Sequence, residues 1–143
     1  MFVTAWIGII NLETGSLRYV NAGHNPPVLI RDGLPEFLRA KSGLVLAAME
    51  DMPYTENVLE MNRGDRMLLY TDGITEAENS AHELFGDDRL LECLLHTAGD
   101  SVEETMKKVD ASVAGFVKDH DQFDDMTMMC IEYKGTDNTT EKE

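Results

Sequence analysis

The sequence predicts an α+β fold in which helices flank mainly antiparallel sheets. Short apolar runs, rich in β-branched and aromatic residues, alternate with turn signals through the first 70 residues. A helical apolar period then takes over between residues 87 and 117, and a last β-rich run, Met126 to Tyr133, closes the pattern.

Met1 to Ile10 (MFVTAWIGII) reads as a buried strand. Nothing leads into it, and a domain rarely begins inside its own core, so the N-terminal portion of the domain is expected to be missing. Glu13 to Ser16 is a turn, and Leu17 to Val20 returns as the second arm of a hairpin. Asn21 to Pro27 interrupts the pattern before Val28 to Ile30 resumes it. Asp32, Gly33 and Pro35 mark a turn ahead of Glu36 to Leu38. Asn57 to Met61 is a strand, Arg63 to Asp65 a turn, and Arg66 to Tyr70 a buried strand.

Asp87 or Asp88 is placed to cap a helix whose Leu90, Leu91, Leu94 and Leu95 share a face, ending at Ala98 and Gly99. Ser101 and Glu104 form the capping box of a second helix. Along it Val102, Met106, Val109, Val113, Phe116 and Val117 recur at helical spacing. Residues 1–134 are thus expected to form part of one domain, and residues 135–143 a polar, disordered tail.

Net charge is −15, from 27 acidic and 12 basic residues. Such a surface repels phosphate backbones and anionic membranes, so nucleic acid is not an expected partner. Cys93 and Cys130 stand far apart with no second pair, which favours a reduced, cytoplasmic compartment. Apolar stretches stop short of a membrane span, and Phe2 to Ile10 lacks the flanks of a secretory leader.

Two acidic features stand apart from ordinary surface charge. The buried strand ending in Tyr70 runs through Thr71 into Asp72 and Gly73. A carboxylate there is held by a rigid element, and the glycine permits a sharp turn or close approach to an ion. A plain Asp-Gly turn explains these residues at least as well. Asp124 and Asp125 precede the last strand, and adjacent carboxylates repel unless solvated or neutralised by a cation. A solvated loop with Asp119 and Asp121 is the alternative. Taken together, both features put a carboxylate at the end of a core strand. A sheet could therefore unite Asp72 and Asp124 across 52 positions of chain. Oxygen-only donors select Mg²⁺ or Mn²⁺ over zinc.

Six stretches carry a resemblance. They are FVT at 2–4, YVNAGHNPP at 19–27, Gly64 with Asp65, LYTDGITEA at 69–77, LFG at 84–86 with Arg89 and Leu90, and QFDDMT at 122–127. In that order and spacing the chain closely resembles the SpoIIE/RsbU branch of the PPM, or type-2C, metal-dependent serine/threonine phosphatases. The resemblance implies an αββα sandwich, incomplete here. It also implies two Mn²⁺ or Mg²⁺ ions in the complete domain and hydrolysis of phosphoserine or phosphothreonine by a metal-activated water. Carried onto this sequence, Asp72 and Asp124 match metal ligands, Gly73 shapes the turn beside them, and Asp125 supports that loop. His24 stands where eukaryotic-type relatives carry an aspartate. It either faces the site or fixes its loop with Asn21 and Asn25.

The family's first metal motif, whose aspartate bridges both ions, has no match in this sequence. Weak metal binding and little or no turnover are therefore expected of these residues alone. By the same resemblance the substrate is a phosphorylated, STAS-like anti-anti-sigma protein in bacterial signalling. Sensor or membrane domains are expected upstream in a longer parent chain, and homodimers are compatible with this organisation. A non-catalytic regulatory domain that keeps the fold is the alternative function.

Overall fold

The computed structural model describes residues 3–118 and 125–136. The described elements run in the order β1 (Ala5–Ile10), β2 (Ser16–Ala22), β3 (Val28–Arg31), β4 (Leu34–Phe37), β5 (Asn57–Glu60), β6 (Arg66–Tyr70), α1 (Asp72–Thr75), α2 (Gly86–Leu95), α3 (Val102–Val117) and β7 (Met128–Glu132). They form two antiparallel sheets, of order β1-β2-β5 and β4-β3-β6-β7. The α+β class with flanking helices is as the sequence predicts. The described elements supply two sheets and one helical layer of the αββα arrangement.

Alternation sorts the side chains into two cores. Leu17 and Tyr19 of β2 point inward and join Met61, Met67 and Tyr133 between the sheets. On the opposite face of the second sheet, Val28, Ile30, Leu68, Tyr70 and Cys130 meet Leu90 and Leu94 of α2 and Val109 and Val113 of α3. Val28, Leu68, Leu90, Leu94 and Val109 are wholly buried. Burying each such side chain stabilises the fold by roughly 1.5–3 kcal/mol. This second core holds β6 and β7 rigidly side by side, and both lead toward the acidic segments.

The first strand departs from expectation. It is a strand, but not a buried one: Ile7 and Ile9 are 63% and 71% exposed. As the edge of a three-stranded sheet it turns only Trp6, Gly8 and Ile10 inward, opposite Asn21, Tyr19 and Leu17. The Trp6 ring stacks on Tyr19 at 5.3 Å and lies over Gly8, where a Cβ would come within 2.6 Å of it. No described element covers the other face, so its apolar residues meet solvent. A continuous apolar run therefore did not mean burial on both sides.

Smaller differences have local causes. Pro35 lies within β4 rather than in a turn, opposite Ile30, because β4 is an edge strand that needs no donor on its outer side. Asp87 and Asp88 do not cap α2; they occupy its first turn, with Phe85 at the N-cap and no side-chain cap bond. Their charge still suits the positive end of the helix dipole. The polar tail is described only through Thr136, and residues 137–143 lie outside the described residues.

Two polar groups lock the far end of the second sheet. Asp65 is 3% exposed and receives Arg31 Nη2 at 2.6 Å and the Asn62 amide at 2.8 Å. Arg66, 5% exposed, donates to the carbonyls of Thr97 (2.8 Å) and Asp100 (3.1 Å) and to the Thr105 hydroxyl. This cation satisfies the link between α2 and α3, where helix-end carbonyls lack partners of their own.

The capping box of α3 forms as read: Glu104 N donates to Ser101 Oγ at 3.2 Å, and Ser101 N to Glu104 Oε2 at 2.8 Å. Ser101→Ala is expected to cost about 1 kcal/mol, or roughly 3 °C in unfolding temperature, measurable by circular dichroism.

Candidate functional site

Strand β6 ends at Tyr70, and Thr71 begins the one-turn helix α1, whose first residue is Asp72. Ile74, 1% exposed, pins that turn into the helical core. Asp72 itself is exposed, and its carboxylate makes no hydrogen bond or ion pair to another described residue. Among the described residues it is an uncommitted oxygen donor on a turn held by the core.

The neighbouring strand brings the second acidic segment alongside. β6 and β7 pair antiparallel from Arg66 opposite Glu132 to Tyr70 opposite Met128. Beyond the ladder, Thr71 N donates to Thr127 O at 2.9 Å, and Thr127 N donates to the Thr71 hydroxyl at 3.0 Å. Gly73 then meets the entrance of β7 directly. A Cβ on it would stand 2.5 Å from the Asp125 carbonyl oxygen and 3.0 Å from its carbon. Only a residue without a side chain fits between the two segments.

Of the residues singled out from the sequence, the structure thus juxtaposes Asp72, Gly73 and Asp125. Asp125 touches Gly73 through its backbone, and its side chain is exposed. Asp124 lies outside the described residues. No group of three or more His, Cys, Asp or Glu side chains able to hold a metal occurs among the described residues.

His24 sits in the β2–β3 loop. Asn21 grips its backbone twice, accepting from His24 N at 2.8 Å and donating to His24 O at 2.9 Å. The ring Nδ1 lies 3.2 Å from Thr4 Oγ1. The side chain of the next residue, Asn25, lies beside that of Tyr70, at the end of β6 that leads to Asp72. Burial, reinforced by the charge of Asp87, pushes the Tyr70 hydroxyl up to about 12, so it stays protonated. In the adjacent loop Ala47 has a φ of 60°, a left-handed conformation where a glycine would be unstrained.

Sequence reasoning missed α1 and the Thr71 hydroxyl. A threonine before Asp-Gly at a strand end signals an N-cap, yet this side chain reaches across to β7 and makes no cap bond. Cavity size does not mark the site. A cleft of about 440 Å³ lies at the opposite end, lined by Asp32, Asp65, Arg66, Asp100 and Glu132, where Asp65 and Arg66 are already committed to structural bonds.

Comparison with known proteins places this geometry. The sequence matches the family described as Stage II sporulation protein E (SpoIIE) over residues 1–134. Protein IcfG of Synechocystis sp. is 33% identical over 133 residues, covering 92% of this chain and 20% of that protein. Phosphoserine phosphatase RsbU of Bacillus subtilis is 29% identical over 138 residues, covering 94% of this chain and 40% of its own. The chain therefore spans less than half the length of these relatives. Among solved structures, the phosphatase domain of the cell fate determinant SpoIIE from Bacillus subtilis superposes with a TM-score of 0.73 at 16% identity, covering 93% of this chain and 57% of that one. A family match across nearly every residue, joined to the same fold, shows that this chain belongs to the SpoIIE family, within the SpoIIE/RsbU-type PPM phosphatases.

Proposed function

We propose that residues 1–134 form part of a metal-dependent phosphatase domain that removes phosphate from phosphoserine or phosphothreonine on a regulatory, STAS-like protein in bacterial signalling. The observation that supports this most is the packing of Gly73 on the Asp125 backbone, which sets the Asp72–Gly73 turn beside the entrance of β7. RsbU, a phosphoserine phosphatase by name, supports the substrate chemistry.

The donor chemistry fits a hard dication. Asp72 offers carboxylate oxygen on a rigid turn, and the missing Cβ of Gly73 lets a second segment approach closely. Asp72 requires further donors from beyond the described residues, with Asp124 the first of them. Asp125 supports the loop through its backbone. His24 is assigned to fixing its own loop, since Asn21 and Thr4 engage it. When bound, Mn²⁺ or Mg²⁺ lowers the pKa of a coordinated water toward roughly 7 and offsets charge on phosphoryl oxygens. With no match to the family's bridging aspartate, these residues alone are proposed to bind one ion weakly and to turn over slowly. The compartment is proposed to be the cytoplasm; no described helix is long and apolar enough to cross a membrane.

The test is a Mn²⁺ titration followed by thermal unfolding, with phosphate release from a phosphoserine STAS-like protein measured in parallel. At a tenfold excess over Kd, binding adds about 1.4 kcal/mol and raises the unfolding temperature by roughly 4 °C. An unfolding temperature indifferent to Mn²⁺, together with no Mn²⁺-dependent phosphate release, overturns the reading.

A further inference from the structure

The end of β6 poses a backbone problem. Thr71 is the last residue that can pair with β7 and also the N-cap of α1. Its carbonyl accepts from Ile74 N at 3.1 Å, inside the helical turn. In a regular antiparallel pair that same carbonyl would accept the amide opposite, Thr127 N. It cannot aim in both directions. The Thr71 hydroxyl resolves the conflict by taking the Thr127 amide at 3.0 Å, while its own proton lies within reach of Asp125 O at 3.3 Å and Thr127 O at 3.4 Å. The carbonyl is freed to start α1, and the ladder continues for one more residue through a side chain.

We infer that Thr71 is a positioning residue: its hydroxyl fixes the Asp125–Thr127 segment against the Asp72–Gly73 turn and thereby sets the geometry of the proposed cation site. The inference rests on the metal reading above, but its structural half stands on these bonds. Three features distinguish the role from ordinary capping. The threonine makes no cap bond to its own helix, its partners lie 54 and 56 positions away, and they flank Met126 next to the Gly73 contact. Losing the hydroxyl leaves the Thr127 amide without an acceptor and loosens the segment where Gly73 needs it held. Outer groups that orient metal ligands change affinity by about 10–100-fold when removed.

The experiment compares Thr71→Val, which keeps shape without the hydroxyl, with Thr71→Ser, which keeps the hydroxyl. Amide hydrogen exchange of Thr127 is followed by NMR in metal-free protein, and Mn²⁺ affinity by calorimetry. Thr71→Val is expected to lose Thr127 protection at least ~10-fold and to weaken Mn²⁺ binding about 10-fold. Thr71→Ser should stay within about threefold of the parent in both, which also separates the role from failed folding. Unchanged Thr127 exchange in Thr71→Val overturns the clamp. Unchanged Mn²⁺ affinity in that variant, while Asp72→Asn abolishes binding, overturns the positioning role and leaves the metal reading intact. If Asp72→Asn leaves Mn²⁺ binding unchanged, the metal reading falls and takes the positioning role with it.

Discussion

Gly73→Ala is expected to lower the unfolding temperature by about 3–9 °C and to weaken Mn²⁺ binding at least ~10-fold. The new Cβ would sit 2.5 Å from the Asp125 carbonyl oxygen, a separation that real contacts do not tolerate. Relief requires one segment to move, and neither is free. On one side Ile74 and Tyr70, 1% and 2% exposed, anchor the turn in the core. On the other, β7 is paired to β6 along its whole length and Cys130 is buried in that same core. Overpacking of this kind costs about 1–3 kcal/mol, at roughly 3 °C per kcal/mol for a chain of this size. A control isolates the cause. Gly64 has open space where its Cβ would stand but a φ of 89°, so Gly64→Ala tests strained backbone without a clash. It should cost about 1 kcal/mol and leave Mn²⁺ affinity alone. Thermal unfolding by circular dichroism and a Mn²⁺ titration measure both variants. If Gly73→Ala unfolds with the parent, the packing of α1 on β7 is not what holds these segments together.

How far the sequence could be read depended on whether the controlling interaction was local. The box between Ser101 and Glu104 spans three residues, so it was legible and it formed. Strand β6 was legible because an uninterrupted apolar run between turn signals reads as a buried strand, and β6 does sit between β3 and β7 under the helices. The same inference failed for β1, since nothing in a run of apolar residues says which neighbours cover it. Helix α1 has four residues, too few to display a period. The candidate site shows the same division. Gly64-Asp65 and Asp72-Gly73 look alike as strings, yet Asp65 is buried and spent on Arg31 and Asn62, whereas Asp72 is exposed and uncommitted among the described residues. The fate of Asp65 is set by residues 3 and 34 positions away, which spacing alone does not reveal. The expected partner, Asp124, lies outside the described residues, so the structure speaks to the pair only through Asp125.

Asp72→Asn is the sharpest test of the metal reading, because it removes one charge and almost no volume. With the Asp72 carboxylate exposed and bonded to no described residue, metal-free protein should unfold within about 1 °C of the parent. Mn²⁺ affinity should fall at least ~100-fold, or about 2.7 kcal/mol. Even at an effective dielectric near 20, opposite unit charges at 4 Å attract by about 4 kcal/mol, and a divalent ion in direct contact exceeds that. An amide oxygen keeps the dipole and loses the charge. Asp125→Asn provides the comparison: its backbone, not its carboxylate, meets Gly73, so affinity should change by less than about threefold. Asp124→Asn should follow Asp72→Asn if the two carboxylates share an ion. Calorimetric titration with Mn²⁺ ranks the three without relying on turnover. Should Asp125→Asn prove the most damaging, the ligand at the entrance of β7 is the second aspartate of the pair, and the assignment carried over from the family motif is off by one residue.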